Sequence, residues 1–215
     1  MEDLIFLDLK KPSKADLQKG LWAFISISYS REQADSHMPA IGEVHSLRES
    51  SRQISLKALS DANADDSVGL LARYARLLTS MGSRFGTAVD EALRRTEAQL
   101  AFTWNDALRP EAKCTLSQLG FERACAMFNL AAALSYRATI QNTADADGLR
   151  AACQDFQHAA GCLDAAVGSA AGTRWATYKG LTLDVRPAAF EGFRALMLAQ
   201  APLPAALFGA EPALC

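Results

Sequence analysis

Apolar residues recur along most of this chain at the three- and four-residue spacing of helices that bury one face. Leu17, Leu21, Phe24 and Ile25 fall on one side of such a helix, which fades near Tyr29. Ser13 and Asp16 stand at its start, where a hydroxyl accepts from exposed backbone N–H groups and an acid suits the helix N-terminus. Ile41, Val44, Leu47, Ile54 and Leu59 mark a second helix over 31–59, with Pro39 as a break or kink. DANADD at 61–66 is turn chemistry. Val68, Leu71, Tyr74, Leu77 and Leu78 then form the buried stripe of a third helix. MGSRFG at 81–86 reads as a break, and a fourth helix runs from about 87 to 99.

The stretch 102–167 is the most informative. Phe102-Thr103-Trp104 is aromatic and β-branched, hence extended and half buried. A loop over 109–117 leads into a long helix over 118–141. There Phe121, Cys125, Phe128 and Ala132 share a face, and the alanines at 131–133 permit close helix approach. Residues 142–148 form a loop with Asp145 as N-cap, and another helix covers 149–167. Residues 168–179 are irregular. Asp184-Val185-Arg186-Pro187 reads as a turn placing proline at the first position of a last helix, 188–201. Pro202 and Pro204 stop it. At the other end of the chain, LIFLDL at 4–9 is a short apolar run closed by Lys10, Lys11 and Pro12, which predicts a strand.

The pattern is nearly all helix, with consecutive antiparallel neighbours and short connections. A helical solenoid or an irregular bundle follows. The spacing around Gly148, Phe156 and Ala160 is similar to tetratricopeptide packing, without a clean repeat of fixed period.

Composition narrows the function. The chain has 215 residues, half of them hydrophobic and 21 % charged, enough for one domain with a core. Net charge is −2 with both signs dispersed, so no basic face points to nucleic acid. No apolar run approaches the roughly 20 residues of a membrane helix. Acids precede the first apolar stretch and lysines follow it, the reverse of a signal peptide, which predicts a cytosolic protein. The five cysteines lack C-x-x-C spacing and read as small, reduced core residues, with zinc or redox roles as the alternative.

Candidate chemistry is sparse. His37, His45 and His158 lack the spacing of a helical zinc site. Neither Gly82-Ser83 nor Gly168-Ser169 is a nucleophile elbow, and no phosphate-binding glycine motif occurs. The residues therefore predict no enzyme, no metal and no cofactor. A small-substrate enzyme using His158 and a neighbouring carboxylate is the competing reading, and a deep polar pocket around His158 would favour it. The group Asp145, Asp147 and Arg150 at the start of a helix reads either as a solvated turn or as a partner contact. A positive charge in a first turn is not the macrodipole's choice.

Several blocks carry a family resemblance. LIFLDLKKPSKADLQKGLWAFI, FTWNDAL with LGFERACAMFNLAAALS, GLRAACQDFQHAAGCLDAAV, and the LDVRP turn ahead of ALMLAQA occur in order over about residues 4–201. Together they resemble the Bro-type (Bro-one) domain of ALIX-like proteins. The match at 31–97 is one of pattern only. The resemblance implies a mostly α fold, a curved tetratricopeptide-like helical solenoid with a small N-terminal β element. It implies a non-catalytic adaptor of the ESCRT pathway, cytoplasmic and recruited to endosomes through its partners. Such a domain binds the amphipathic C-terminal helix of an ESCRT-III subunit on its concave face in multivesicular-body sorting. A monomer is expected, associating peripherally with endosomal membranes. Rho-binding and phosphatase-like scaffolds that carry the same domain remain alternatives.

The chain departs from the family after the MLAQA block, where family domains continue as a long helix. Residues 1–201 are therefore expected to be a partial Bro-type domain and 202–215 a divergent, proline- and alanine-rich tail. A truncated gene model, a splice product or a non-binding paralogue would each explain this. By the resemblance, Arg150 matches a basic contact position and Asp147 a nearby acidic one, with Leu196 and Met197 as a supporting face. Phe193, Leu196, Met197 and Leu198 are expected to stay partly uncovered, which predicts a marginal, aggregation-prone fragment.

Overall fold

The computed structural model describes residues 4–56, 61–86, 88–94, 99–142, 145–170 and 173–201. Helices dominate: α1 (Leu17–Ser28), α2 (Arg31–Ser36), α3 (Met38–Gln53), α4 (Asp61–Phe85), α5 (Ala88–Leu93), α6 (Leu119–Ile140), α7 (Ala146–Ala170) and α8 (Pro187–Gln200). Strands β1 (Phe102–Asn105) and β2 (Lys113–Leu116) pair antiparallel, with Trp104 opposite Cys114. Helix α3 packs on α4, α4 on α6, α6 on α7 and α7 on α8. That order is the solenoid arrangement of helices stacked on their neighbours. Among the described residues no helix is long and apolar enough to cross a membrane.

Helix α6 is the centre of the core. Phe121, Ala124, Cys125, Phe128, Ala131, Ala132 and Ala133 are all buried, because helices lie on several sides of α6. The alanine cluster lets α7 approach closely. Phe121 meets Trp175, in a short 3-10 turn at Trp175–Thr177, at 5.9 Å between ring centroids. Phe128 meets Phe193 of α8 edge-on at 5.6 Å.

Several local expectations are corrected. Asp16, not Ser13, caps α1, accepting from the Lys19 N–H at 2.9 Å. The expected helix over 31–59 is two helices parted at His37, with Pro39 in the first turn of α3, where a missing N–H leaves no bond unmade. It ends at Gln53, and Leu59 lies outside the described residues. DANADD is not a turn but the first turns of α4, where its alanines favour helix. MGSRFG does not break α4 until Gly86, whose φ of +57° ends the helix in the left-handed region glycine tolerates. Strand β2 lies within the stretch expected as loop. Helix α7 starts three residues earlier and ends three later than expected. Asp145 does cap α7, accepting from the Gly148 N–H at 2.7 Å. Pro202 and Pro204, with the whole expected tail, lie outside the described residues.

Residues 4–9 form no strand. Their N–H groups go to side chains instead: Ile5 to Gln200 Oε1 at 2.5 Å and Leu7 to Ser135 Oγ at 3.0 Å. The apolar run therefore follows helices rather than a sheet edge. The N-terminal segment does reach the sheet further on, where Pro12 bridges Trp104 and the Ser13 N–H bonds the Thr103 carbonyl at 2.8 Å.

Cys114 and Cys125 are buried free thiols and Cys162 is a half-buried one. Cys153 is disulfide-bonded, against the expectation of reduced thiols throughout.

Candidate functional site

Helices α4 and α7 both pack on α6 and leave a groove between them of about 660 Å³. Its apolar floor comes from Met127, Leu130 and Leu134 of α6. These stand at i, i+3 and i+7, a second apolar stripe beside the Phe121-Cys125-Phe128-Ala132 face. Val68, Ala72 and Ala75 form the α4 wall, and Gly161, Cys162 and Ala165 the α7 wall. Small residues on the walls keep the groove open, while the larger floor residues supply apolar contact. The lining of α4 runs from Val68 to Ser80, about 18 Å at 1.5 Å per residue, or over three turns of a docked helix.

The rim is basic. Arg76 of α4 is exposed and has no ion pair among the described residues. Arg137 at the end of α6 is held in place by two acids. Asp155 accepts from its Nε at 2.8 Å and its Nη2 at 2.6 Å, and Asp65 accepts from Nη1 at 2.6 Å. The hydrogen bonds to Asp155 lead in raising the Arg137 pKa further, so its charge is permanent. Cys162 in the α7 wall is pushed up to about 11 by burial, which keeps its thiol protonated and apolar in character.

The expected site residues are distributed unevenly. Arg150 and Asp147 sit together in the first turns of α7 as an i,i+3 ion pair, 43 % and 91 % exposed. Arg150, Gln157 and Gly161 recur at i, i+7 and i+11, so Arg150 continues the α7 wall beyond the groove. Leu196 and Met197 are not in the groove. Met197 is fully buried in the core and presents nothing to a partner. Leu196 is half buried against the same core, and of the face expected to be uncovered only Leu198 is well exposed, at 44 %. Helix α8 turns Met197 inward because α7 covers that side. The groove floor escaped sequence reading, although its Met127-Leu130-Leu134 spacing was a usable signal.

His158 is exposed on the groove rim, beside apolar neighbours rather than in a deep polar pocket. Among the described residues no cluster of His, Cys, Asp or Glu is arranged to hold a metal ion.

Comparison with known proteins agrees with this architecture. The family model described as BRO1-like domain matches residues 4–202. The chain is 28 % identical over 158 residues to ALG-2 interacting protein X of Dictyostelium discoideum, covering 74 % of this chain and 18 % of that protein. It is 32 % identical over 170 residues to Programmed cell death 6-interacting protein of Xenopus laevis, covering 75 % of this chain and 18 % of that protein. The match thus spans about a fifth of the length of these relatives. Among solved structures, ALIX in complex with a late-domain peptide superposes with a TM-score of 0.78 at 27 % identity, covering 96 % of this chain and 29 % of that one. The ALIX BRO1–CHMP4C complex superposes with a TM-score of 0.72 at 27 % identity, covering 94 % and 55 %.

Proposed function

We propose a function from one premise: the chain belongs to the BRO1-like domain family. It is a non-catalytic adaptor module that takes an amphipathic helix of an ESCRT-III subunit into the groove between α4, α6 and α7. The observation that carries this reading is the pairing of an apolar floor, Met127-Leu130-Leu134, with an exposed rim cation, Arg76, that has no ion pair among the described residues. A helix with an apolar stripe and acidic flanks is its complement. Buried apolar anchors give most of the affinity, about 1.5–3 kcal/mol for each fully buried side chain, and the rim charges orient the helix. Arg150 and Asp147 extend the contact along α7, and Leu196 supports α8 from its half-buried side.

Relatives support the endosomal context, since they include vacuolar protein-sorting proteins and an ALIX BRO1 domain bound to CHMP4C. In this reading the chain is cytoplasmic, acts as a monomer and reaches endosomal membranes through its partners.

A binding titration with the C-terminal helix peptide of CHMP4C tests the reading. Saturable binding is expected, weakened about tenfold or more by Met127→Asp, which places a charge on the half-buried floor. Absence of saturable binding, or equal binding by the variant, removes the groove from the function.

A further inference from the structure

A second concavity lies on another part of the fold, between α1, α2, α3 and α4. It has a volume of about 270 Å³ and a floor of Leu21, Ile25, Ile41, Val44, Leu77 and Met81. None of its lining comes from α6 or α7; it adjoins the groove described above only at α4, where Ser80 lines both.

Its polar groups are sorted. Glu43, the one acid in the lining, is engaged by Arg73, whose Nη2 lies 2.8 Å from Oε1. Helices α3 and α4 are consecutive and packed on each other. Away from that pair in sequence, the lining also carries Arg84 and His37, with Gln33 and Tyr29. Arg84 is exposed, and neither it nor His37 makes an ion pair among the described residues. Tyr29 is 57 % exposed. The result is an apolar cleft whose lining includes an uncompensated cation and hydrogen-bonding groups.

We infer that this cleft is a second docking site, and that its occupant is a short acidic peptide segment carrying a large apolar anchor. Charge complementarity names the acid: the only carboxylate in the lining is already spent on Arg73, which leaves Arg84 to be met by the ligand. The composition names a peptide. Tyr, Phe, Met and Arg are the side chains enriched where proteins bind proteins, and here they are Tyr29, Phe85, Met81 and Arg84. The size fits one or two anchoring side chains rather than the long face of a helix. The site stands independently of the groove and adds a second partner to a scaffold.

The test pans a phage library of random short peptides on the full chain, after subtraction on a Met81→Lys variant. Peptides that pair a large apolar residue with acids should be enriched. An enriched peptide, synthesised and titrated by fluorescence anisotropy, should lose about thirtyfold in affinity with Met81→Lys. It should lose about five- to tenfold with the exposed-site variant Arg84→Glu, and a lysine-for-acid version of the peptide should prefer that variant. Binding should persist with the α4–α6–α7 groove saturated. Circular dichroism confirms that each variant is folded, and Arg84→Glu keeps the test open should Met81→Lys unfold. No wild-type-specific enrichment overturns the site. Enriched peptides without acids, or peptides indifferent to Arg84→Glu, overturn its acidic specificity. Self-association of the chain that Met81→Lys abolishes would put a second copy in the cleft and overturn the peptide occupant.

Discussion

Lys10 and Asp184 form a fully buried ion pair across 174 positions of sequence. Around it three separate blocks of the chain are tied together. The Lys10 Nζ also donates to the Asn105 carbonyl at 2.6 Å, and Asp184 accepts from the Ala107 N–H at 2.7 Å and the Thr182 hydroxyl at 2.7 Å. Asp106 accepts from the Leu183 N–H at 2.9 Å. Asn129 of α6 clamps Lys10 itself, its Oδ1 accepting from the Lys10 N–H and its Nδ2 donating to the Lys10 carbonyl, both at 2.8 Å. The N-terminal run, the FTWNDAL block and the LDVRP turn are thus one buried polar network. Each buried polar group in it has a partner, as a low-dielectric interior requires.

Asp184→Ala leaves the Lys10 charge buried without its counter-ion. The expected loss of stability is about 3–5 kcal/mol. Urea unfolding measures it, and hydrogen exchange should rise across residues 4–13 and 102–107 together. Exchange rising in only one of these segments would mean that Asp184 does not couple them.

Glu122 is a second hub. Its carboxylate accepts from Arg48 Nε at 2.8 Å, Tyr74 Oη at 2.6 Å and Trp104 Nε1 at 2.6 Å. Glu122→Ala should cost about 3–5 kcal/mol, because it strands the fully buried Arg48 guanidinium. Burial, and then the charge of Glu122, push the Tyr74 pKa well above its usual value. Alkaline difference spectroscopy of the folded chain should therefore find Tyr74 un-ionised until the chain unfolds.

Arg150→Glu should weaken binding of an acid-flanked partner helix about two- to fivefold, the size of an exposed charge contact. The same variant should leave thermal stability nearly unchanged, since the Arg150–Asp147 pair lies at the surface. Unchanged affinity for the CHMP4C helix would remove Arg150 from the contact.

Cys162 offers a chemical probe of the groove. Burial raises its pKa to about 11. The thiol is protonated in both folded and unfolded chains below about pH 8.5, so it adds no pH dependence there. Between that value and about 11 the unfolded chain releases the proton first, and stability falls as pH rises. Alkylation of the native chain at pH 8 should accordingly be slow against a denatured control. Once formed, the maleimide adduct should block helix binding, because the sulfur sits in the groove wall. Undiminished binding by the fully labelled chain would place the helix elsewhere.

Periodicity carried the helical identity of most segments and the face shared by Phe121, Cys125, Phe128 and Ala132, and residue type carried the Asp145 cap and the proline that opens α8. These depend on interactions within a few residues, and local sequence specifies them. The ordered blocks also carried the family resemblance. Only the tertiary structure decided where an apolar residue ends up when several elements compete to cover it. Met197 reads like a surface anchor on α8 but is sealed against the core, while Met127 and Leu130 of the most buried helix line an open groove. The run at 4–9 has strand composition, yet Gln200 and Ser135 from distant helices bond its backbone at Ile5 and Leu7. Lys10 and Asp184 look like solvated charges in sequence and become a buried pair. Desolvation and long-range pairing depend on which segments meet, and no spacing along the chain encodes that.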